Sequence, residues 1–167
     1  ASYPPDARFD TAPGSFVDEL RQAGRIRVGV DENTDGFSVR NSDTGELEGF
    51  EVDLARAIAQ RVFGDQYRPE MVELVPLVTD EKVRFVQDGT VDMTVSAITM
   101  SCRRWEQVSF SREYYTAHQE FLVRSDSDIE SAADLDGRTV CVTAGSSSIG
   151  IMREHVPDAE LLPVAAR

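Results

Sequence analysis

The paired arginines Arg103 and Arg104 close a run of small and hydroxylated residues, Ser96, Ala97, Thr99 and Ser101, that follows the alternating segment Val91, Met93, Val95. A period of two marks a strand, so this run is a strand exit carrying free backbone N–H groups, hydroxyls and a guanidinium. That is the chemistry of a seat for a carboxylate. The same residues also suit an ordinary strand-to-loop exit with solvated arginines. A second polar turn, Ala-Gly-Ser-Ser-Ser at 144–148, precedes a helical pattern. Ser146 or Ser147 there offers backbone donors and the positive end of a helix dipole to a carboxylate or phosphate. The turn lacks the Gly-Lys-Ser/Thr of a nucleotide-binding loop, and a serine N-cap is its plainer role.

Catalysis finds little support. His118 and His155 are the only histidines, one in a strand pattern and one at a helix end, and neither has a nucleophile motif around it. The carboxylates Glu19, Glu51, Asp53 and Glu81 fall on expected helix exteriors or first turns, where they suit helix dipoles and solvent. No CxxC, HExxH or clustered His/Cys spacing occurs, so neither a transition-metal site nor a cofactor is expected.

The elements that position these residues read as α/β. Residues 1–12 form an extended leader, and 15–23 a short helix stopped by Gly24. Residues 25–30 make the first strand, which empties into the polar loop 31–36. Residues 37–40 and 46–49 flank the turn signal Asn-Ser-Asp-Thr-Gly. A long helix over 50–63 carries Val52, Ala55, Ile58, Ala59 and Val62 on one face, with Gly64 closing it. Residues 71–77 are the next strand, Thr79 or Asp80 caps a helix ending at Gly89, and 91–98 form strand three, followed by a short strand over 108–111. This β-α-β-α-β order with short connections predicts parallel strands and right-handed crossovers. The pattern then restarts: a strand over 118–124, a polar turn plus a short helix over 128–135, a strand over 138–143, a helix over 147–155 and a strand over 159–164. So short a second unit should not bury a self-sufficient core. The expectation is a two-lobed protein: 1–24 leader and helix, 25–117 lobe one, 118–167 the first part of lobe two. In parallel α/β sheets ligands bind beyond the carboxyl ends of the strands. Asp31 to Thr34, Thr79, Ser96 to Arg104 and Ser146 to Ser148 all fall at such ends.

Bulk properties narrow the partners. The chain has 167 residues, 41% hydrophobic and 28% charged, with a net charge of −13. That balance argues against nucleic acid and anionic membrane surfaces, while leaving room for one local cationic pocket. No apolar run approaches the roughly 20 residues that span a bilayer. The chain opens on Ala1 without a basic or apolar leader, as expected once an export signal has been removed. Cys102 and Cys141 either form a disulfide or remain two buried thiols.

Three stretches carry a resemblance: GELEGFEVDLARAIAQRVFG (45–64), GTVDMTVSAITMSCRRWEQVSFSREYY (89–115) and DLDGRTVCVTAGSSS (134–148). In this order and spacing they resemble the family 3 extracellular solute-binding proteins, polar amino-acid receptors of ABC importers. The details look closest to actinobacterial glutamine/glutamate-binding lipoproteins. The resemblance implies a type II periplasmic-binding-protein fold, a Venus flytrap of two α/β lobes that closes on one free amino acid. Lobe one would be largely present here and lobe two incomplete. It further implies an extracytoplasmic, monomeric, non-enzymatic receptor serving an ABC permease, with membrane contact only through a lipid anchor. Matching the motifs places the α-carboxylate grip at Arg104 and Thr99, within the turn containing Ser96. The α-ammonium would fall at the Ala97 carbonyl, and second-lobe donors at Ser146 and Ser147. Asp31 and Thr34 match the loop that reads the ligand side chain, Phe37 an aromatic wall and Thr79 another wall residue. Ser101 and Cys102 depart from the usual threonine and polar residue, and Thr34 stands where relatives often have an aromatic. The acidic partner of the α-ammonium would lie beyond Arg167. Rival roles for the scaffold are a sensor domain and a cyclohexadienyl dehydratase-type enzyme.

Overall fold

The computed structural model describes residues 11–165, so most of the expected leader lies outside the described residues. Its first element is α1 (Phe16–Ala23), where the Ser15 side chain accepts the Asp18 N–H and Gly24, at φ 65°, ends the helix by donating to Leu20 and Arg21. Strand β1 (Ile26–Val30) follows, with Ile26, Val28 and Val30 buried. Three short antiparallel strands come next: β2 (Asn33–Thr34), β3 (Ser38–Arg40) and β4 (Leu47–Glu48). The last two match the expected hairpin. Strand β2 is additional, because the polar loop folds back to pair Thr34 with Ser38.

The long helix is α2 (Phe50–Phe63), which buries Val52, Ala55 and Ala59 against β1 and its neighbours. After β5 (Val72–Pro76), α3 (Glu81–Gln87) leads to β6 (Met93–Thr94). β1 lies between β5 and β6, and both pairings are parallel, as the β-α-β-α-β reading requires. Burying six or more aliphatic side chains at roughly 1.5–3 kcal/mol each provides most of the lobe-one stability. A separate two-stranded parallel sheet, β7 (Thr139–Thr143) with β8 (Glu160–Val164), is bridged by α5 (Ser148–His155). Leu135, Val142, Met152 and Val156 form its own small apolar cluster.

Several sequence expectations are corrected. Strand three pairs only at Met93–Thr94, not over 91–98. Val95 N–H still donates to Gly29, but Ala97 turns to φ 39° and ends the extended run. Residues 108–111 form no strand: they follow the one-turn helix α4 (Cys102–Trp105), and Phe110 packs on Trp105 at 5.3 Å between ring centroids. Residues 118–124 are not a strand either, and Leu122 is fully exposed. Alternation marks a side for each residue, but a strand exists only where a neighbour takes its backbone hydrogen bonds. Of the polar turn and short helix expected over 128–135, the helical part is a 3₁₀ turn (Ala132–Leu135). Asp80 precedes α3 without a side-chain cap; instead Glu81 reaches back to accept the Val78 N–H at 3.1 Å. Cys102 and Cys141 are free and exposed, neither bonded to each other nor buried. Cys102 opens α4 in lobe one, whereas Cys141 points outward from β7 in lobe two, on the opposite face from buried Val142.

Candidate functional site

The carboxyl ends of β5, β6 and β7 converge on a cavity of about 190 Å³ between the two lobes. Lobe one contributes Thr79, Lys82, Ala97, Thr99 and Arg104, and lobe two contributes Thr143 and Ser146 to Ser148. The lobes touch here. Ser147 Oγ and Thr99 Oγ1 lie 3.1 Å apart, and a Cβ built on Gly145 would fall 1.5 Å from Asp80 Oδ1. Gly145 also sits at φ 72°, so both backbone strain and this close approach favour glycine.

Arg104 is held by its own turn. Its backbone N–H is 3.4 Å from Ser101 Oγ, and its guanidinium Nη1 donates to the Thr99 carbonyl at 2.8 Å. Among the described residues it has no carboxylate partner, unlike Arg27, Arg40 or Arg138. Burial, then the neighbouring Arg103 charge, holds its pKa below the ordinary arginine value. A guanidinium with donors left over beside a hydroxyl-lined cavity is suited to a carboxylate. Opposite it, Ser146 Oγ is buried and makes no hydrogen bond within the protein.

Lys82 adds a second cation. It is 7% exposed, and its ammonium lies 4.0 Å from Asp31 Oδ2. Burial pulls its pKa below the ordinary lysine value, Asp31 and Glu51 oppose that shift, and Arg104 adds to it. The cavity of this strongly acidic chain is thus locally positive.

The expected site residues are not all brought together. Thr79, Ala97, Thr99, Arg104, Ser146 and Ser147 line the cavity. Asp31 stands behind Lys82, with its Oδ1 accepting the Asn33 N–H at 2.8 Å and its carbonyl accepting the Ser38 hydroxyl. Thr34 is tied into β2, and Ser96 is completely buried with an unbonded hydroxyl. Phe37 packs edge-on against Tyr115 at 4.8 Å and Phe50 at 6.0 Å, joining Tyr114 in an aromatic cluster. A larger hollow of about 650 Å³ on lobe one, walled by Phe16, Arg27 and Trp105, contains none of these residues.

Sequence reasoning missed two charged residues. Lys82 precedes Phe85 and Val86 by three and four positions, on the inward face of α3. Glu51, expected on a helix exterior or in a first turn, is in the first turn of α2 but fully buried, and precedes Leu54 and Ala55 by the same spacing. In both cases a charge on the apolar stripe of a helix was the available signal.

The family model described as "Bacterial extracellular solute-binding proteins, family 3" matches residues 26–161. The glutamine-binding protein of Geobacillus stearothermophilus is 31% identical over 92% of this chain and 58% of its own length. The ABC transporter glutamine-binding protein GlnH of Bacillus subtilis is 32% identical over 86% of this chain and 52% of its own length. The chain therefore spans between half and three-fifths of these relatives. Among solved structures, the ancestral amino acid-binding protein AncCDT-1, a precursor of cyclohexadienyl dehydratase, superposes with a TM-score of 0.80 at 32% identity, covering 90% of this chain and 65% of that one. An ancestral arginine-binding protein bound to arginine gives 0.75 at 30%, covering 84% and 61%. The fold is the type II periplasmic-binding-protein α/β architecture, with lobe one largely present and part of lobe two. The chain belongs to the bacterial extracellular solute-binding proteins, family 3.

Proposed function

We propose that the protein captures a polar amino acid of the glutamate/glutamine type outside the cytoplasm and delivers it to an ABC importer permease. Binding is non-covalent. Lobe one takes the α-carboxylate on Arg104 and Thr99, and lobe two closes over it through Ser146 and Ser147. The carrying observation is that the carboxylate-free guanidinium of Arg104 and the unbonded hydroxyl of Ser146 come from opposite lobes to one small cavity. Lys82 supports an acidic or amide side chain, since a buried ammonium held 4.0 Å from Asp31 retains donors for a second oxygen. Closure is a two-state hinge motion biased by contacts that exist only when the lobes meet. The protein acts as a monomer, with any membrane contact made through a lipid anchor. Among the described residues no helix is long and apolar enough to cross a membrane.

A thermal-shift screen of the complete protein against the twenty amino acids tests this reading. L-glutamine or L-glutamate should raise the melting temperature most, since ligand at 100 times Kd stabilises by about 2.7 kcal/mol. A screen in which no amino acid shifts the transition would overturn the reading, and turnover of prephenate or arogenate would overturn its non-catalytic part.

A further inference from the structure

Glu51 is the buried charge that the cavity does not explain. It is 0% exposed and does not line the cavity, yet it bonds to three separate segments, one of which, the turn at Ala97, does line it. Its backbone N–H donates to the Phe37 carbonyl at 2.8 Å, tying α2 to the turn between β2 and β3. Its Oε1 accepts the Ala97 N–H at 2.6 Å, inside the turn that leads to Arg104. The same oxygen accepts the Tyr114 hydroxyl at 2.6 Å. Tyr114 lies in the exposed stretch of residues 111–124 that carries the chain from lobe one towards lobe two.

Each end of this relay needs holding. Ala97 is the one non-glycine residue at positive φ among the described residues, at 39°. A side chain there persists only where the surroundings over-determine it, and the short bond to Glu51 does so. Tyr114 is partly exposed, with its ring packed on Phe50 at 6.0 Å and its hydroxyl directed inward to the carboxylate. Burial, the hydrogen bond to Glu51 and the Glu51 charge together hold that phenol above its ordinary range, so it remains a donor at any physiological pH. The second oxygen, Oε2, is buried without a hydrogen bond from the protein. A half-satisfied buried carboxylate costs stability, whereas an apolar side chain would fill the same position without that cost.

We propose that Glu51 is a positioning residue that couples the ligand turn at Ala97 to the inter-lobe crossover at Tyr114, and so helps set the balance between open and closed lobes. This rests on the two-lobe closure proposed above. The Tyr114 bond is made in a structure whose lobes touch at Ser147 and Thr99; the coupling requires that this bond be weaker when the lobes part, so that losing it favours the open arrangement. Tyr114→Phe removes only the hydroxyl and leaves the Ala97 bond in place. Glu51→Gln keeps the shape and removes the charge.

The test is the inter-lobe distance distribution of the complete protein, read by double electron–electron resonance between one spin label in each lobe, without ligand and with saturating L-glutamine or L-glutamate. Wild-type protein should shift to shorter distances with one of these amino acids. Tyr114→Phe and Glu51→Gln should each lower the closed-to-open ratio about tenfold, with the double variant no lower than the worse single one, because one bond is shared. Should Glu51→Gln fail to fold, the milder Tyr114→Phe decides alone. Variants that lose melting temperature yet keep the wild-type distances would make Glu51 a purely structural peg and overturn the coupling. A wild-type protein that does not shorten with either amino acid would instead overturn the closure reading, and the coupling with it.

Discussion

Replacing Arg104 with alanine should weaken amino-acid binding by about 30- to 150-fold. Removing one partner of a desolvated charge pair costs about 2–5 kcal/mol. Arg104 is half-buried, and one guanidinium nitrogen is already engaged with the Thr99 carbonyl at 2.8 Å, so the lower half of that range, about 2–3 kcal/mol, applies. At about 1.4 kcal/mol per tenfold, that gives the stated interval. Isothermal titration calorimetry of the complete protein, with the amino acid found in the thermal screen, reads it directly. Arg103→Ala is the internal control. Arg103 is exposed and outside the cavity, and its loss should change Kd by less than about twofold, as expected for a screened surface charge. Arg104→Lys should fall between them, because an ammonium keeps the charge and loses the planar fork. An Arg104→Ala protein that binds within twofold of wild type, or an Arg103→Ala protein that loses as much, would refute the placement of the carboxylate.

Other residues separate binding from stability. Lys82→Met should lower folding stability, because it leaves the buried Asp31 carboxylate without the ammonium 4.0 Å away. It should also weaken binding of L-glutamate more than tenfold; chemical denaturation and calorimetry on the same variant check both halves. Because the folded-state pKa of Lys82 lies below its unfolded value, the unfolded chain binds more protons as pH rises through that interval, so this group adds stability at alkaline pH while binding of an anionic side chain declines. Asp92→Asn should cost about 2 kcal/mol in urea denaturation with unchanged affinity, since the Asp92 carboxylate takes the Arg27 guanidinium at 2.7 Å and the Arg27 N–H at 2.7 Å, and neither residue lines the cavity. Burial alone would raise the Asp92 pKa, but the Arg27 hydrogen bonds and charge outweigh it and hold it low. The wild-type advantage over Asp92→Asn should therefore be complete above about pH 4 and vanish as pH falls through the lower folded value. Gly29→Ala should cost about 1–3 kcal/mol, because its Cβ would lie within 2.3 Å of Leu77 Cδ2.

Local chemistry made much of lobe one readable. Gly24 and Gly64 end their helices, and the Val52–Ala55–Ala59 stripe fixes the buried face of α2. The parallel order followed from the spacing of strands and helices, and that order alone puts Thr99, Arg104 and Ser146 at strand ends. Extents of strands were less legible, because the pairing of Met93–Thr94 depends on β1, far away in sequence, and residues 118–124 show an alternation with no strand beside them. Lys82 was missed, and the burial of Glu51 unforeseen, for a related reason. Their partners Tyr114, Ala97 and Asp31 are brought in by the tertiary fold, so only the position of a charge on an apolar stripe hinted at burial. Cys141 lies in a true strand, but on an outward-facing position of a two-stranded sheet, which strand pattern alone does not distinguish from burial.

The most direct measurement is a crystal structure of the complete protein with L-glutamine or L-glutamate, whichever shifts its melting transition. The expected result is an α-carboxylate within about 3 Å of the Arg104 guanidinium and of a Ser146 or Ser147 donor. An amino acid seated elsewhere, with Arg104 turned to bulk solvent, would contradict the proposed site.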